Sequence, residues 1–324
     1  MITIVSERGA MSYTIGVDLG GTKIAAGIVN DQGEILEEVI KPTPAVSAKA
    51  VISAIVEACS ELMERYEVKG ICVAAPGFVD AAGSRLMFTP NLPMADEPLR
   101  AKIEKKLNVP VLIENDANAA AWGEARFGAA QNRRNVVILT IGTGLGGGIV
   151  VDGRLVRGAY GMAAEIGHMN QVPNGEPCGC GLRGCWEQYA SGSALVRIGR
   201  RLAAHDRAGA SLLLSLGDGT PEGVQGQHIT TAAESGCPVA IAAFNELGES
   251  IGQGMADLSA LLDPEIFVIG GGVSSARDLV LEPARAAFAK NLTAAAHRPK
   301  PEIVIATLGN SAGMVGAADL ARGV

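Results

Sequence analysis

One histidine and three cysteines stand within 18 residues of each other, with the spacing His-x9-Cys-x-Cys-x4-Cys, at His168, Cys178, Cys180 and Cys185. Three thiolates and one imidazole complete a closed tetrahedral zinc shell, the composition of a structural rather than a catalytic zinc site. Glycines between the cysteines are expected to supply the positive φ angles of a tight metal loop. These glycines are Gly179, Gly181 and Gly184. The pattern therefore predicts a structural zinc site.

The alternatives for these cysteines are a disulfide bond or ordinary buried thiols. A Cys-x-Cys pair makes a strained disulfide, and the third cysteine would still need a partner, so zinc is favoured. The other three cysteines, Cys59, Cys72 and Cys237, lie in apolar stretches without such spacing. We expect them to be small buried hydrophobic residues.

Two carboxylates flank the predicted metal site. Glu165 precedes His168 by three residues, and Glu187 follows Cys185 by two. Because four better ligands already fill the zinc shell, neither carboxylate is needed on the metal. We expect them to bind a hydroxyl-rich substrate, and we expect the metal to keep the pocket for this substrate rigid.

Composition narrows the class of protein. The chain has 324 residues, is 48% hydrophobic and 4% aromatic, and contains 42 glycines, which favours an α/β fold with two domains or one large one. A net charge of −7 without a basic block argues against a nucleic-acid partner. The N-terminal stretch has no long apolar run, so a signal peptide is not expected. The most apolar run, 136–151, is broken by glycines and threonines, which argues against a membrane span and favours a reduced, cytoplasmic location.

The elements that must position these residues include a repeated pattern. Residues 13–40 read as three strands, with Gly-Thr at the first turn, and residues 136–155 repeat that pattern 121 positions later. Taken alone, either turn could be a plain hairpin connection. Two Gly-Thr turns facing each other across a cleft could instead clamp the phosphates of a nucleotide. Only the first copy carries charge, at Asp18 and Lys23, whose counterparts are Leu139 and Gly144.

Three further stretches are read from the pattern. Residues 114–118 are predicted to form the end of a strand and the start of a helix. At this position Asp116 could be a helix N-cap, a catalytic base or both. The Gly270 to Gly272 turn follows an apolar strand and fits either a nucleotide or plain helix–strand packing. The polar, glycine-rich stretch 206–227 is expected to be an exposed excursion.

These residues together resemble the ROK family of sugar kinases, most closely its bacterial glucokinases. The resemblance runs in order from about residue 13 to the C-terminus and includes Asp18 to Lys23, Glu114 to Asn118, Glu165 to His168 and the cysteine cluster. It implies an α/β fold of the actin/hexokinase/Hsp70-like ATPase type, with two ribonuclease-H-like domains and a deep cleft between them. The implied domains are a small one, residues 1–122 with 310–324, and a larger one, 123–309, that carries the zinc motif.

The resemblance also implies residue roles. Asp116 would be the general base. The residues implied for the sugar are Gly77, Asn91, Asn115, Asp116, Glu165, His168 and Glu187. The residues implied for ATP are Asp18 (near Mg²⁺), Gly21, Thr22, Lys23, Gly142, Thr143, Gly144, Gly270 and Gly271. His168 would bind Zn²⁺ through one ring nitrogen and face the sugar with the other.

The implied reaction is ATP-dependent phosphorylation of glucose at its 6-hydroxyl, in a homo-oligomer, either dimer or tetramer. Related kinases act on N-acetylmannosamine, mannose or fructose, and these stay open because the Asn91-Leu-Pro loop lacks the tryptophan that many relatives have there. Polyphosphate as donor is another alternative, against which the Gly270 to Gly272 turn argues. A sugar-sensing repressor is a third, and the short stretch before the first strand is expected to be too small for its DNA-binding domain.

Overall fold

The computed structural model describes residues 13–44, 46–90 and 92–324. The chain divides into two compact units. The first unit contains the described residues up to Phe127, together with Arg157–Ala163 and Asn310–Val324. The second unit contains Gly128–Val156 and Ala164–Gly309. The domain limits expected from the sequence, 1–122 with 310–324 and 123–309, stay a prediction.

The elements follow one another in chain order. Up to Phe127 they are β1 (Tyr13–Leu19), β2 (Lys23–Val29), β3 (Ile35–Pro42), α1 (Ala48–Met63), β4 (Val68–Ala75), β5 (Phe78–Val79), β6 (Leu86–Phe88), β7 (Ala95–Glu97), α2 (Leu99–Leu107), β8 (Val111–Asn115) and α3 (Asp116–Phe127). Then come β9 (Val136–Ile141), β10 (Leu145–Val151), β11 (Arg154–Leu155), α4 (Gly192–His205), α5 (Ser211–Leu216), α6 (Gly226–Glu234), α7 (Pro238–Leu262), β12 (Ile266–Gly270), α8 (Asp278–Asn291), β13 (Glu302–Ile305) and α9 (Ala312–Leu320). Two 3-10 helices that matter below are Ile166–His168 and Trp186–Gln188.

The main sheet of the first unit has the strand order β3-β2-β1-β4-β8. Its first three strands are antiparallel neighbours joined by short turns, and β4 and β8 add in parallel to β1. Parallel neighbours need a crossover, which α1 supplies between β3 and β4. The small strands β5, β6 and β7 form a separate three-stranded sheet.

The sheet of the second unit repeats this topology, with the order β11-β10-β9-β12-β13. Here too the first three strands are antiparallel, and β12 and β13 add in parallel. The repeated pattern predicted from the 121-residue offset is therefore confirmed at the level of strand order.

The central strands of the first unit are buried on both faces. Ile15 and Val17 of β1 point into a core shared with α1, where Val51 and Ile55 are fully buried. On the other face, small residues such as Cys72 of β4 pack with α3 and α9. Burial on both faces explains why these strands read as continuous apolar runs in the sequence. It also confirms that Cys72 is a small buried hydrophobic residue, and Cys59 and Cys237 are buried as well.

The second unit is built around the long helix α7. The ring of Trp186 is fully buried and packs closely on α7 at Gly254, and its Nε1 donates a hydrogen bond of 2.9 Å to the carbonyl of Ser250. Trp186 lies between Cys185 and Glu187 in the chain. This packing therefore anchors the cysteine loop to the core of the unit.

One segment differs from the sequence prediction. Residues 206–227 are not a plain exposed excursion, because Leu213 of α5 and Val224 are completely buried. The apolar run at 212–214 drives that burial, which the polar composition of the surrounding stretch conceals.

Within the described ranges, no helix combines the length and the apolar character needed to cross a lipid bilayer.

Candidate functional site

The predicted site residues of the first unit lie at one edge of its main sheet. Asp18 pairs with Ala74 across β1 and β4, and Ala75 pairs with Asn115 across β4 and β8. The parallel strands therefore end together at this edge. Ligands of α/β proteins bind outside the carboxyl ends of such strands.

Asn115 is the centre of a hydrogen-bonded network at this edge. Its Oδ1 accepts from the backbone N–H of Asn118 at 3.0 Å, and its Nδ2 donates to the carbonyl of Gly77 at 3.0 Å. Asn115 thus makes the N-terminal capping contact of α3, the role that the sequence left open for Asp116. Asp116 is the first residue of α3, and one of its carboxylate oxygens accepts from the backbone N–H of Ala117 at 2.9 Å.

Glycine is the only residue type that fits at position 77. Its φ is +112°, and a Cβ there would overlap the carbonyl oxygen of Phe88. The glycine lets the backbone after β4 pass close to β6 while its own carbonyl holds Asn115. Asn91, the other residue implied for the sugar in this region, lies outside the described residues.

The first Gly-Thr turn connects β1 to β2. The backbone N–H of Gly20 donates to Lys23 O at 2.9 Å, and Thr43 Oγ1 donates to Gly20 O at 2.7 Å. Gly21, Thr22 and Lys23 are exposed. Burial raises the pKa of the Asp18 carboxyl, the charge of Lys23 partly offsets the rise, and that of Glu38 adds to it. A buried carboxylate of this kind is stabilised by a nearby cation.

The second Gly-Thr turn is held by the start of α4. The carbonyl of Gly142 accepts from the N–H of Gly192 at 2.8 Å, and the carbonyl of Thr143 accepts from Ser193 Oγ at 2.8 Å. Ser191 caps α4 through a bond from the N–H of Ala194. The helix N-terminus and the glycine turn therefore come together, and that combination favours an anion.

A cavity of about 740 Å³ opens beside this second turn. This volume lies within the range of small-molecule binding sites. Its lining comes from the turn, α4, α6 and the segment after β12: Gly142, Thr143, Gly192, Ser193, Leu195, Val196, Gly226, Gln227, Thr230, Gly272, Val273 and Ser275. The predicted Gly270 is buried at the end of β12, and Gly271 turns the chain toward Gly272 with φ +82°. Sequence reasoning found the turn and missed the α4 and α6 residues, which carry no motif.

The four predicted metal ligands converge. Their donor atoms all lie within 4.8 Å of one another. Cys178 Sγ and His168 Nδ1 are 3.6 Å apart, as are Cys180 Sγ and Cys185 Sγ. Zinc bonds of about 2.3 Å to sulfur give a tetrahedron with edges of roughly 3.7 Å, so the donor set fits zinc. The sulfur–sulfur separation is far longer than a disulfide bond.

The glycines of this loop follow the prediction in part. Gly181 and Gly184 have φ of +90° and +80°, so these positions favour glycine. The expectation is wrong for Gly179, whose φ is not positive. Two left-handed residues, not three, turn the chain around the donor atoms.

The Cys178 side chain is expected to lose its proton only where a cation takes the place of that proton. Burial raises the pKa of the Cys178 thiol to about 12. Cys178 Sγ donates a hydrogen bond of 2.9 Å to Glu187 Oε1. A thiolate at this position needs a positive partner, and a metal ion that displaces the proton supplies it.

The predicted sugar residues of the second unit surround the same loop. Glu187 Oε2 lies 2.8 Å from the point where a Cβ of Gly144 would stand, so this carboxylate adjoins the second Gly-Thr turn. His168 Nδ1 faces Cys178, and its other ring nitrogen is left for a different partner. Partial burial raises the pKa of Glu165, with His168 opposing and Glu187 adding to the rise. The second unit thus brings a candidate metal site, a polar cluster and a glycine turn into one region.

Comparisons with known proteins identify the family of this chain. The model of the ROK family matches residues 14–324. The glucokinase of Streptomyces coelicolor is 49% identical over 96% of this chain and 98% of its own, and that of Thermotoga maritima is 35% identical over 95% and 96%. A crystal structure of a ROK family glucokinase from Streptomyces griseus in complex with glucose and AMPPNP superimposes with a TM-score of 0.85 at 48% identity, covering 96% of this chain and 100% of that one.

The fold expected from the sequence is confirmed: the two mixed α/β sheets are those of the actin/hexokinase-like ATPases. The family match extends over both units and over every described motif that carried the resemblance. The chain therefore belongs to the ROK family.

Proposed function

We propose that the protein transfers the γ-phosphoryl group of ATP to the 6-hydroxyl of glucose. The observation that carries this proposal is the position of Glu187, whose carboxylate adjoins both the metal loop and the Gly142 to Gly144 turn. A polar cluster suited to a sugar therefore borders a turn and a cavity suited to a nucleotide. The relatives reported above, all glucokinases, support glucose as the sugar.

The sugar is held by groups that can both accept and donate hydrogen bonds. Glu165, Glu187 and the free ring nitrogen of His168 would bind vicinal hydroxyls. An unpaired buried polar group costs about 1–3 kcal/mol, so each such contact discriminates between sugar epimers. From the first unit, Asn115 and the backbone at Gly77 would contribute, already oriented by their mutual hydrogen bond.

The zinc ion supplies no step of the reaction in this proposal. His168, Cys178, Cys180 and Cys185 would hold it. Bound there, it would fix the loop that carries Glu187 and orient the His168 ring.

The nucleotide is assigned to the cavity beside the second Gly-Thr turn. The N-terminus of α4 and the turn would approach its phosphates, and Gln227 and Thr230 of α6 offer polar groups in the lining of the cavity. Polyphosphate, the alternative donor, has no base to fill such a cavity. Asp18, a half-buried carboxylate near Lys23, would favour the Mg²⁺ that accompanies ATP.

Asp116 is proposed as the general base. As the 6-oxygen attacks the γ-phosphorus, its proton passes to the Asp116 carboxylate, the bond from phosphorus to the ADP oxygen breaks, and ADP leaves. Phosphoryl transfer depends chiefly on positioning and charge neutralisation, so one such carboxylate is enough.

A substrate panel tests the proposed function. Purified protein is assayed with ATP and each of glucose, mannose, fructose and N-acetylmannosamine, and then with polyphosphate and glucose. We expect the highest kcat/KM for ATP with glucose and a 6-phosphate as product. Preference for an acetylated sugar would overturn the glucose assignment, and a preference for polyphosphate would overturn the assignment of the cavity.

Removal of the Lys23 amine is expected to weaken the binding of ATP more than the binding of glucose. Lys23→Ala should raise the KM for ATP by about tenfold to a hundredfold, because a charge-assisted bond to phosphate is worth roughly 1.5–3 kcal/mol. Lys49→Ala, which removes an exposed lysine of α1 in the same unit, is the matched control. Equal losses for both ligands in the Lys23 variant would contradict a phosphate role.

A further inference from the structure

Between β11 and the 3-10 helix at 166–168, seven residues of the chain leave the second unit. This segment, Arg157–Ala163, packs with the first unit, while the residues on either side of it belong to the second. We call it the strap. Glu165 follows the strap after a single residue, and His168 three residues later. The strap therefore leads directly into two of the residues proposed to bind the sugar.

The strap is attached to the rest of the first unit by an ion pair between a half-buried arginine and a buried carboxylate. Arg157 Nε lies 2.6 Å from Glu114 Oε2, and the Glu114 side chain is only 4% exposed. A carboxylate that is buried to this degree needs a partner of opposite charge. Arg157 supplies that charge from the first residue of the strap.

Glu114 also makes hydrogen bonds at the edge of the sheet that carries Asp116. Its second oxygen, Oε1, accepts from the backbone N–H of Asn115 at 3.0 Å and from Asn118 Nδ2 at 3.1 Å. Asn118 N–H in turn donates to Asn115 Oδ1. One buried carboxylate thus joins Arg157 to the residue that immediately precedes Asp116.

Further contacts fix the course of the strap. Gly161 has φ +85°, and a Cβ there would overlap the carbonyl oxygen of Val79, so the strap backbone lies directly against β5. The N–H of Ala163 donates to the carbonyl of Arg157 at 3.1 Å, which closes the strap into a loop. The two ends of the strap are therefore joined to each other, and its middle is packed against β5.

The chain leaves the strap through a strained residue. Ala164 has φ +69°, a conformation that residues other than glycine rarely adopt. Its carbonyl accepts from the N–H of Ile166 at 2.7 Å. Such a conformation persists only where the surroundings impose it, and here it sets the direction in which Glu165 starts.

From these contacts we infer that Arg157 is a positioning residue for the sugar: its ion pair with Glu114 fixes the strap, and the strap sets the course on which the chain reaches Glu165 and His168. The inference rests on the proposed function, because it takes Glu165 and His168 as ligands of the sugar. Arg157 itself is not proposed to touch the sugar. It acts through the strap and through Glu114.

Arg157→Met removes the charge and keeps the length of the side chain. We expect kcat/KM for glucose to fall on the order of tenfold to a hundredfold, since a small misplacement of binding groups has effects of this size. The KM for ATP should stay within about twofold, because the nucleotide contacts are unchanged. Arg157→Lys should recover part of the loss. Arg126→Met is the matched control, because it breaks a similar pair with the nearly buried Asp319 in the same unit, away from the strap.

A double variant separates positioning from stability. Arg157→Met with Glu114→Gln removes both charges and relieves the unpaired carboxylate, so the unfolding midpoint should recover toward that of the wild type. Positioning predicts that kcat/KM for glucose stays low. Recovery of activity together with stability would show that the pair is merely structural and would overturn the inference.

Hydrogen exchange tests the strap without any assay of activity. In Arg157→Met, amides of residues 158–168 should exchange about tenfold faster than in the wild type, and in Arg126→Met they should not. Unchanged exchange in Arg157→Met would overturn the inference whatever the reaction. A wild type that does not phosphorylate glucose would instead sink the proposed function, so the two failures are distinguishable.

Discussion

Asp116→Asn should lower kcat by about 10²–10⁴-fold, the range of a general base, while leaving the Kd for glucose within a few-fold of the wild type. The amide has nearly the shape of the carboxylate and can still accept from the N–H of Ala117. It cannot take the proton of the sugar hydroxyl. Single-turnover kinetics for the chemical step and calorimetry for glucose binding measure the two quantities separately.

The control for this variant is Asp31→Asn, which removes an exposed carboxylate from the turn between β2 and β3 of the same unit. Its kcat should equal that of the wild type. Turnover of the Asp116 variant near the wild-type rate would remove Asp116 as the base. A loss confined to glucose affinity would make it a binding residue only.

Cys180→Ala should lose the zinc ion and a large part of the stability together. A structural zinc site contributes its binding free energy to folding, so the free energy of unfolding should fall by about 4 kcal/mol or more. Glucose affinity should fall as well, because the loop would no longer hold Glu187 in place. Metal analysis of the purified protein, chemical unfolding and glucose titration give the three readouts.

Cys237→Ala is the matched control, because Cys237 is buried and lies outside the metal cluster. We expect it to keep one zinc per chain and to lose only the smaller free energy of a core truncation. A Cys180→Ala protein that is free of zinc but binds glucose with unchanged affinity would contradict the proposed role of the metal.

The parts of the site that the sequence predicted are those whose signals are local. The cysteine spacing predicted a candidate metal site, and the four donor atoms converge, because all four residues lie within one short segment of the chain. The 121-residue offset predicted two similar hairpins, and both sheets have the same strand order, because each hairpin is set by neighbouring residues. The role of Asn115 as the helix cap, in place of Asp116, depends on a single hydrogen bond that composition does not reveal.

The parts that could not be predicted depend on residues distant in the chain. Gln227 and Thr230 enter the cavity from α6, far from the Gly142 turn in sequence and without a recognisable spacing. Arg157 and Glu114 are 43 positions apart, and no local sequence pattern around either residue predicts an ion pair. Burial of Leu213 within a polar stretch is likewise decided by packing in the second unit. Assembly as a homo-oligomer and a cytoplasmic location stay predictions.

The central claim is that the Asp116 carboxylate accepts the proton of a hexose that Glu165, His168 and Glu187 hold by its ring hydroxyls. A crystal structure of the wild-type protein with glucose and a non-hydrolysable ATP analogue tests it most directly. We predict an Asp116 oxygen about 2.6–3.2 Å from the 6-oxygen of the sugar, with both glutamates on ring hydroxyls and the γ-phosphate facing that oxygen. An Asp116 carboxylate beyond hydrogen-bond reach of the 6-oxygen, or a sugar that contacts neither glutamate, would contradict the account.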